Sequence, residues 1–330
     1  MKQQARTALN RAVIGTLVAL PLVAASHQAM AQAYPTKAIR FVVGFPPGGG
    51  NDLLARTVGA KLSEVVSQSV IVENRAGAGG NVGAEYVSRQ AADGYTILMM
   101  SSSHPIQKLL KPELTYDPIA DFTPVARLAA YSYILVINPG VQARNVKELV
   151  GLAKAKPGAL NFVSSGNGSG SHLAGELFKI ATTTDLTHIS YKGGAQAITD
   201  LVGGRVQMMF SPIPAVMPQV KAGKMVVLAS TGNQRASALP DVPTVMESGF
   251  PNFTANSWYG VVGPAKLSVA IADTLNKQIN VALQAADVRE RLVGEGAEPA
   301  PATREQFVEL IRADHDKWGR VIRQTGIKGD

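Results

Sequence analysis

Apolar positions in this chain fall into short runs separated by longer amphipathic stretches. The runs Ile39–Val43, Val70–Val72, Thr96–Met100, Tyr133–Ile137, Asn161–Val163, Met208–Phe210, Val226–Ala229 and Tyr259–Val262 read as strands, apolar on both faces as in sheets covered by helices from both sides. Between them the spacing predicts helices over Asp52–Val66, Gly80–Arg89, Val146–Lys154, Ser171–Ala181, Ala195–Val202 and Ala215–Ala222. Two longer ones, Val269–Ala285 and Arg304–Thr325, close the chain. Alternation of this kind predicts an α/β architecture with mainly parallel sheets.

Glycine punctuates the pattern at two comparable places. Phe41-Val-Val-Gly-Phe-Pro-Pro-Gly-Gly-Gly-Asn-Asp52 runs from a strand through a loop of small residues into a helix, and Asn161 to His172 repeats the plan through Ser164-Ser-Gly-Asn-Gly-Ser-Gly-Ser171. Small residues let backbone N–H groups approach a ligand, and a helix N-terminus adds partial positive charge, so each is an anion site in outline. The bare residues of Pro46–Asp52 also allow a tight turn capped by Asn51 or Asp52. The two loops predict one site per domain, facing each other across a cleft. The long C-terminal helices are expected to return and cover the first domain.

The first 33 residues carry a different signal. Lys2, Arg6 and Arg11 precede an apolar stretch, Ala12–Ala25, and two small-x-small cleavage sites, Ala29-Met-Ala31 and Ala31-Gln-Ala33. This is the pattern of a secretory signal peptide over residues 1–33. The remainder exceeds the roughly 250 residues at which single cores stop growing, so two domains are expected. Three of the eight net positive charges lie in the leader; the rest are scattered, with no basic run. No nucleic-acid partner is expected. The chain has no cysteine, which excludes disulfides and a lipid-modified thiol.

Other chemistry is thinly supported. Asn51 and Asp52 stand where a P-loop has Lys and Ser/Thr, so nucleotide phosphate is not expected. Asn74-Arg-Ala-Gly-Ala-Gly-Gly-Asn-Val-Gly83 approaches a dinucleotide fingerprint but places Val82 at its third glycine. Those glycines suit either anion contact or close helix–sheet packing. Ser165, Ser169 and Ser171 all miss the spacing of a nucleophile elbow. His104, His172, His188 and His315 do not fall at metal-ligand spacing, so neither a metal nor a cofactor is expected. Hydroxyls at strand ends, Ser102 and Ser103 after Thr96–Met100 and Ser211 after Met208–Phe210, are candidate ligand contacts, and Lys192 in Tyr191-Lys-Gly-Gly194 is a candidate cation. Trp258 and Tyr259 mark either a domain crossing or simple core packing.

Several of these segments together resemble the Bug-type receptors, the extracytoplasmic solute-binding proteins of tripartite tricarboxylate transporters. The resemblance rests on Tyr34-Pro35, Ile39-Arg-Phe-Val-Val43 and Phe45–Asp52, then Glu73–Gly83, Asp93-Gly-Tyr-Thr96, Ser164–Ser169, His172-Leu-Ala-Gly-Glu176, Tyr191-Lys-Gly193, Leu239-Pro-Asp-Val-Pro-Thr244 and Trp258-Tyr-Gly260. It implies a two-domain periplasmic binding protein fold, with a ligand cleft between two mainly parallel-sheet lobes: 34–133 with 256–330 as domain 1, and 134–255 as domain 2. It further implies a non-enzymatic, monomeric receptor in the periplasm, holding a small organic carboxylate and passing it to membrane permease subunits. By the same resemblance, main-chain groups at Phe45, Gly48, Gly49, Gly50, Asn51, Asp52, Ala78, Gly79 and Gly80 hold one carboxylate, and Ser165, Gly166, Ser169 and His172 hold the far end. Many members carry an aspartate in the segment matching Gln207–Ser211. This chain has none there, which argues against an amino-acid ligand. A receptor that signals to a membrane sensor, or an exported hydrolase of acidic substrates, stands as the alternative to transport.

Overall fold

Strand β4 (Phe122–Ile137) organises the molecule. In the computed structural model, which describes residues 34–329, β4 is sixteen residues long and changes partners part-way. Its first half pairs with β9 (Asn256–Pro264) as far as Tyr131↔Ser257 and Ser132↔Asn256. From Tyr133 onward it pairs instead with β7 (Met208–Pro212) on one side and β8 (Val226–Ser230) on the other. The signal peptide expected over 1–33 lies outside the described residues.

One ten-stranded sheet results, in the order β2-β1-β3-β9-β4-β7-β5-β6, with β8 and β10 (Glu298–Pro299) both paired to β4. On one side β1 (Ile39–Val43) sits between β2 (Val70–Asn74) and β3 (Thr96–Ser101), all parallel. On the other, β5 (Asn161–Ser164) runs parallel to β6 (Thr187–Ser190) and β7. The antiparallel pairings are confined to β4 and β9, where the chain crosses from one half of the sheet to the other. The expectation of mainly parallel α/β architecture therefore holds.

Helices fill the connections: α1 (Gly50–Val66), α2 (Asn81–Ser88), the short α3 (Gln107–Leu110), α4 (Val146–Ala155), α5 (Gly170–Thr182), α6 (Gly194–Val202), α7 (Ile213–Lys221), α8 (Val269–Gln284), α9 (Ala286–Gly294) and α10 (Arg304–Thr325). Each forms for a local reason. In α1, Leu54, Ala55, Val58 and Leu62 make one buried stripe at helical spacing. Thr303 and Gln306 close a capping box at the start of α10, and Gly326 ends it at φ 70°, where a side chain would strain the backbone.

Period two in β4 divides the core. Leu135 and Ile137 face a cluster with Phe162, Phe178, Phe210 and Phe253, whereas Ile134 and Val136 face Ala197, Leu201, Met209 and Val216 on the other side. A third cluster, including Val42, Leu98, Met100 and Trp258, lies under the first half of the sheet. Helix α10 joins two of them: Phe307 and Ile311 belong to the third cluster, Trp318, Val321 and Ile322 to the first. The closing helices were expected to cover the first domain; α10 does so and also continues past that half, because its apolar stripe runs on to Ile322.

Candidate functional site

The loop after β1 is held from below. Helix α1 begins at Gly50 with Gly49 as its N-cap, two residues before Asn51 and three before Asp52, the caps expected from the sequence. That places Asp52 inside the first turn, where its buried carboxylate works as a brace. Its Oδ2 accepts from Gly48 N–H at 2.9 Å and from Arg56 Nε at 2.9 Å, and its Oδ1 accepts from Asn74 Nδ2 at 2.8 Å. Asn74 Nδ2 also donates to the Phe45 carbonyl at 3.1 Å. The bond from Arg56 comes first among the forces that hold the Asp52 carboxyl down at about 2. With these oxygens committed, the Asp52 side chain positions the loop, and the donors left for a ligand are the uncapped N–H groups of the first turn. Asp52→Ala removes the acceptor shared by Gly48, Arg56 and Asn74, leaving Asn74 only its bond to the Phe45 carbonyl, and is expected to lower stability by about 1–2 kcal/mol in urea unfolding, since Gly48 is exposed and its N–H can turn to water.

The second glycine run packs against the first. A Cβ on Gly44 would stand 2.7 Å from Gly80 O, and one on Gly83 would stand 2.9 Å from Gly44 Cα. Gly79 and Gly80 both take positive φ, in a 3-10 turn over Ala78–Gly80. Ala78 and Gly79 are exposed, and these three residues do not line the cavities described below.

Both helix starts meet at one chamber of about 170 Å³. Asn51 of α1 and Phe45 line one wall; Gly170 and Leu173 of α5 line the opposite one. Ser101, Ser102 and Ser103 close the end of β3, and Asn256, Ser257 and Tyr259 enter from β9. Hydroxyl groups are paired across it: Ser102 with Ser257 at 2.6 Å, and Ser101 with Ser103 at 3.0 Å. The Asn51 Oδ1 is buried without a hydrogen-bond partner.

Three tyrosines form the floor. Tyr131 stacks on Tyr259 with centroids 5.0 Å apart and meets Tyr133 edge-on at 5.6 Å. The outer two phenols reach the helix starts: a Cβ on Gly170 would lie 2.0 Å from the Tyr133 hydroxyl, and one on Gly50 would lie 3.4 Å from that of Tyr259. Burial first, and the neighbouring Tyr131 next, push both phenols well above their ordinary range, so they stay protonated and can donate to an anion. A second, apolar chamber of about 400 Å³ adjoins at Tyr131 and Tyr259, walled by Leu53, Leu54, Pro212, Pro214 and Ala215.

The serine–glycine loop is rigid rather than open. Ser169 caps α5, accepting from His172 N–H, and Ser171 Oγ accepts from Ser165 N–H at 3.1 Å. His172 is buried; its Nδ1 accepts from Gly168 N–H at 3.1 Å, and its ring stacks on His188 with centroids 3.7 Å apart. It therefore caps the loop. Ser164 Oγ lies 2.7 Å from His188 Nε2, a serine–histidine pair that sequence spacing does not reveal because the two residues meet only across the paired strands β5 and β6, where His188 stands opposite Phe162. Ser164 is fully buried.

Of the residues expected to bind, Phe45, Asn51, Ser102 and Ser103 line the first chamber and Gly50 the second. Gly48 and Gly49 sit in the braced loop, and Ser165, Gly166, Ser169 and His172 in the loop that sets the start of α5. Lys192 is exposed, and Ser211 is buried with its hydroxyl toward the Pro212 carbonyl; both lie outside the first chamber. Trp258 is a core residue, its Nε1 donating to Asp314 at 2.6 Å. Tyr131, Tyr133, Gly170 and Ser257 are wall residues that the motifs did not single out. Their signal was the alternation Tyr131-Ser-Tyr133, which puts two phenols on one strand face.

The profile of the tripartite tricarboxylate transporter family receptor matches residues 54–327. The chain belongs to that family. BugT of Bordetella pertussis is 37% identical to this receptor over 319 residues, covering 96% of this chain and 97% of BugT. Among solved structures, Rpa4515 of R. palustris with adipate is 34% identical with a TM-score of 0.77, covering 89% of this receptor and 99% of that chain. MatC from Rhodopseudomonas palustris with bound malate is 30% identical with a TM-score of 0.73, covering 88% and 100%. The receptor thus has the fold of the periplasmic binding proteins, as its motifs implied.

Proposed function

We propose that this receptor captures a small organic carboxylate in the chamber between the starts of α1 and α5, and hands it to the membrane permease subunits of a tripartite transporter. The observation that carries the reading is that one chamber takes walls from both glycine-rich loops, with serine hydroxyls and two neutral phenols between them. Hydroxyls and phenols of this kind can turn their hydrogens from one another to a negative charge. The relatives solved with adipate and malate support the same ligand chemistry.

The two sheet halves joined at β4 and β9 act in this reading as two lobes, 34–133 with 256–330 and 134–255, that close on the ligand because only the closed form offers both sets of donors. The receptor works in the periplasm as a monomer, delivered by the leader over 1–33, and needs no cofactor. Among the described residues no helix is long and apolar enough to cross a membrane, and no group of His, Asp or Glu would hold a metal ion. A binding role rather than hydrolysis is supported by the burial of Ser164, the serine that pairs with a histidine, where substrate does not reach.

Micromolar affinity requires about 8 kcal/mol. Charge-assisted hydrogen bonds at about 1.5–3 kcal/mol each, with helix ends adding about 0.3–1 kcal/mol, supply that from three or four donors. Titration calorimetry with succinate, malate and adipate is expected to show saturable binding of at least one acid, recovered unchanged by NMR. No binding by any carboxylate, or conversion of the acid to product, would overturn the reading.

A further inference from the structure

A third cavity, of about 310 Å³, neighbours the first chamber, with Tyr131 and Asn256 lining both. Its character is different. Arg127 on β4 points into its wall with Nε buried and without a hydrogen-bond partner. Among the described residues no carboxylate oxygen comes within 4.0 Å of this guanidinium. Asp314, the acid that acts on it electrostatically, is already bound to Trp258 Nε1. The other charges on the cavity wall are engaged: Arg235 Nε binds both oxygens of Glu247, at 2.9 and 3.2 Å, and Glu298, exposed to water, accepts from Ser237 N–H. A partly buried cation without a direct carboxylate partner is costly, and the Arg127 Nε is a buried donor left unpaired in this region.

Three chambers consequently meet at Tyr131: the hydroxyl-lined one, the apolar one and the one holding Arg127. The first is smaller than the roughly 300–1,000 Å³ of ordinary small-molecule sites; with its neighbours it enters that range. Polar, apolar and cationic surfaces in contact fit a molecule with an anion at each end and hydrocarbon between.

We propose that the ligand is an elongated α,ω-dicarboxylate, its near carboxylate in the hydroxyl-lined chamber, its methylene chain against the apolar walls beside Tyr131, and its far carboxylate on Arg127. The inference rests on the carboxylate-receptor reading above and adds to it the length of the ligand and the residue that reads its far end. Arg127 sets specificity; the serine-lined chamber sets the requirement for an acid.

The test compares succinate, adipate and suberate by calorimetry, on the wild type and on Arg127→Gln and Arg127→Lys. The wild type is expected to prefer the longer acids, and Arg127→Gln to lose about 10–100-fold on suberate relative to succinate, the range of one charge-assisted bond. Arg127→Lys, which keeps the charge, retains most of the preference. Monomethyl suberate on the wild type supplies a readout that needs no variant: esterifying one end is expected to cost as much as Arg127→Gln, and the two losses not to add. An unchanged suberate-to-succinate ratio in a folded Arg127→Gln, or equal binding of suberate and its monoester, overturns the inference while leaving the carboxylate reading standing. Failure of all three acids on the wild type overturns the inference, and failure of malate as well overturns the carboxylate reading beneath it.

Discussion

Gly170→Ala is expected to weaken carboxylate binding by about 100-fold or more, and to lower stability by about 1–3 kcal/mol through overpacking. The cause is one side chain: the added methyl would lie 2.0 Å from the Tyr133 hydroxyl oxygen and 2.8 Å from its Cζ, so one of the two groups must move. Tyr133 is nearly fully buried and flanked by Tyr131. Gly170 has no unusual backbone angle, so space and not strain decides the outcome. Displacing the phenol removes one donor, and tilting the start of α5 removes another; two charge-assisted bonds at about 1.5–3 kcal/mol each account for the loss. The double variant Gly170→Ala/Tyr133→Phe removes the closest clash but leaves the ring Cζ at 2.8 Å, and is expected to recover part of the stability and none of the affinity. Calorimetry and urea unfolding of the four proteins of this cycle separate the effects. Binding at wild-type strength by Gly170→Ala would remove α5 from the site.

The second large effect is on acid stability. His104 lies buried beneath the end of β3, stacked on Tyr116 at 5.8 Å and edge-on to Phe122 at 5.2 Å, with its Nε2 unpartnered. Burial pulls its imidazolium from an ordinary 6.5 down to about 4. The unfolded chain therefore takes up a proton on this side chain at a higher pH than the folded protein does. The sign follows: stability is fully present above about pH 6.5 and is lost as pH falls from there toward about 4, by about 3 kcal/mol in all. Thermal unfolding across this window is expected to show the loss. His104→Phe, which keeps an aromatic ring between Tyr116 and Phe122, should flatten the profile between pH 6.5 and 4 even if it shifts stability at pH 8. The same slope in the variant would assign the effect to another group. Asp52, held down at about 2, contributes in a lower window, between pH 3.8 and 2, where its brace on the first loop is lost.

Much of this architecture is readable along the chain because each helix reports its own burial. The α1 stripe, the Thr303 box and the two glycine-rich loops are local signals, and the elements follow from them. Where pairing is set at long range, reading fails. Residues 122–132 of β4 hold Pro124, and the ladder with β9 slips at two points, so this half of the strand lacks clean alternation. β6 is four half-exposed or exposed residues, Thr-His-Ile-Ser, and gains its place only by lying beside β5. α9, Ala-Asp-Val-Arg-Glu-Arg-Leu-Val-Gly, buries only Val288 and Leu292 and carries too little apolar character to stand out.

The site divides in the same way. Donor-rich loops at helix starts and hydroxyls at strand ends are visible as composition; the first point to Asn51 and the second to Ser102 and Ser103. Side chains that reach the chamber from crossing strands are not. Tyr133 comes to Gly170, and Tyr259 to Gly50, from strands far away in sequence. Arg127 was indistinguishable from any surface arginine until the fold placed it against a cavity with its Nε unpaired. Asp52 shows the reverse case: an acid at a glycine-rich loop reads as a cap or a contact, while in the fold its oxygens are spent on Gly48, Arg56 and Asn74.

A crystal structure of the receptor grown with adipate tests the central claim most directly. Electron density for one carboxylate among Asn51, Ser102, Ser257 and the first turn of α5 is the expected result. An ordered adipate bound elsewhere on the protein, with this chamber left to water, would contradict a site shared by the starts of α1 and α5.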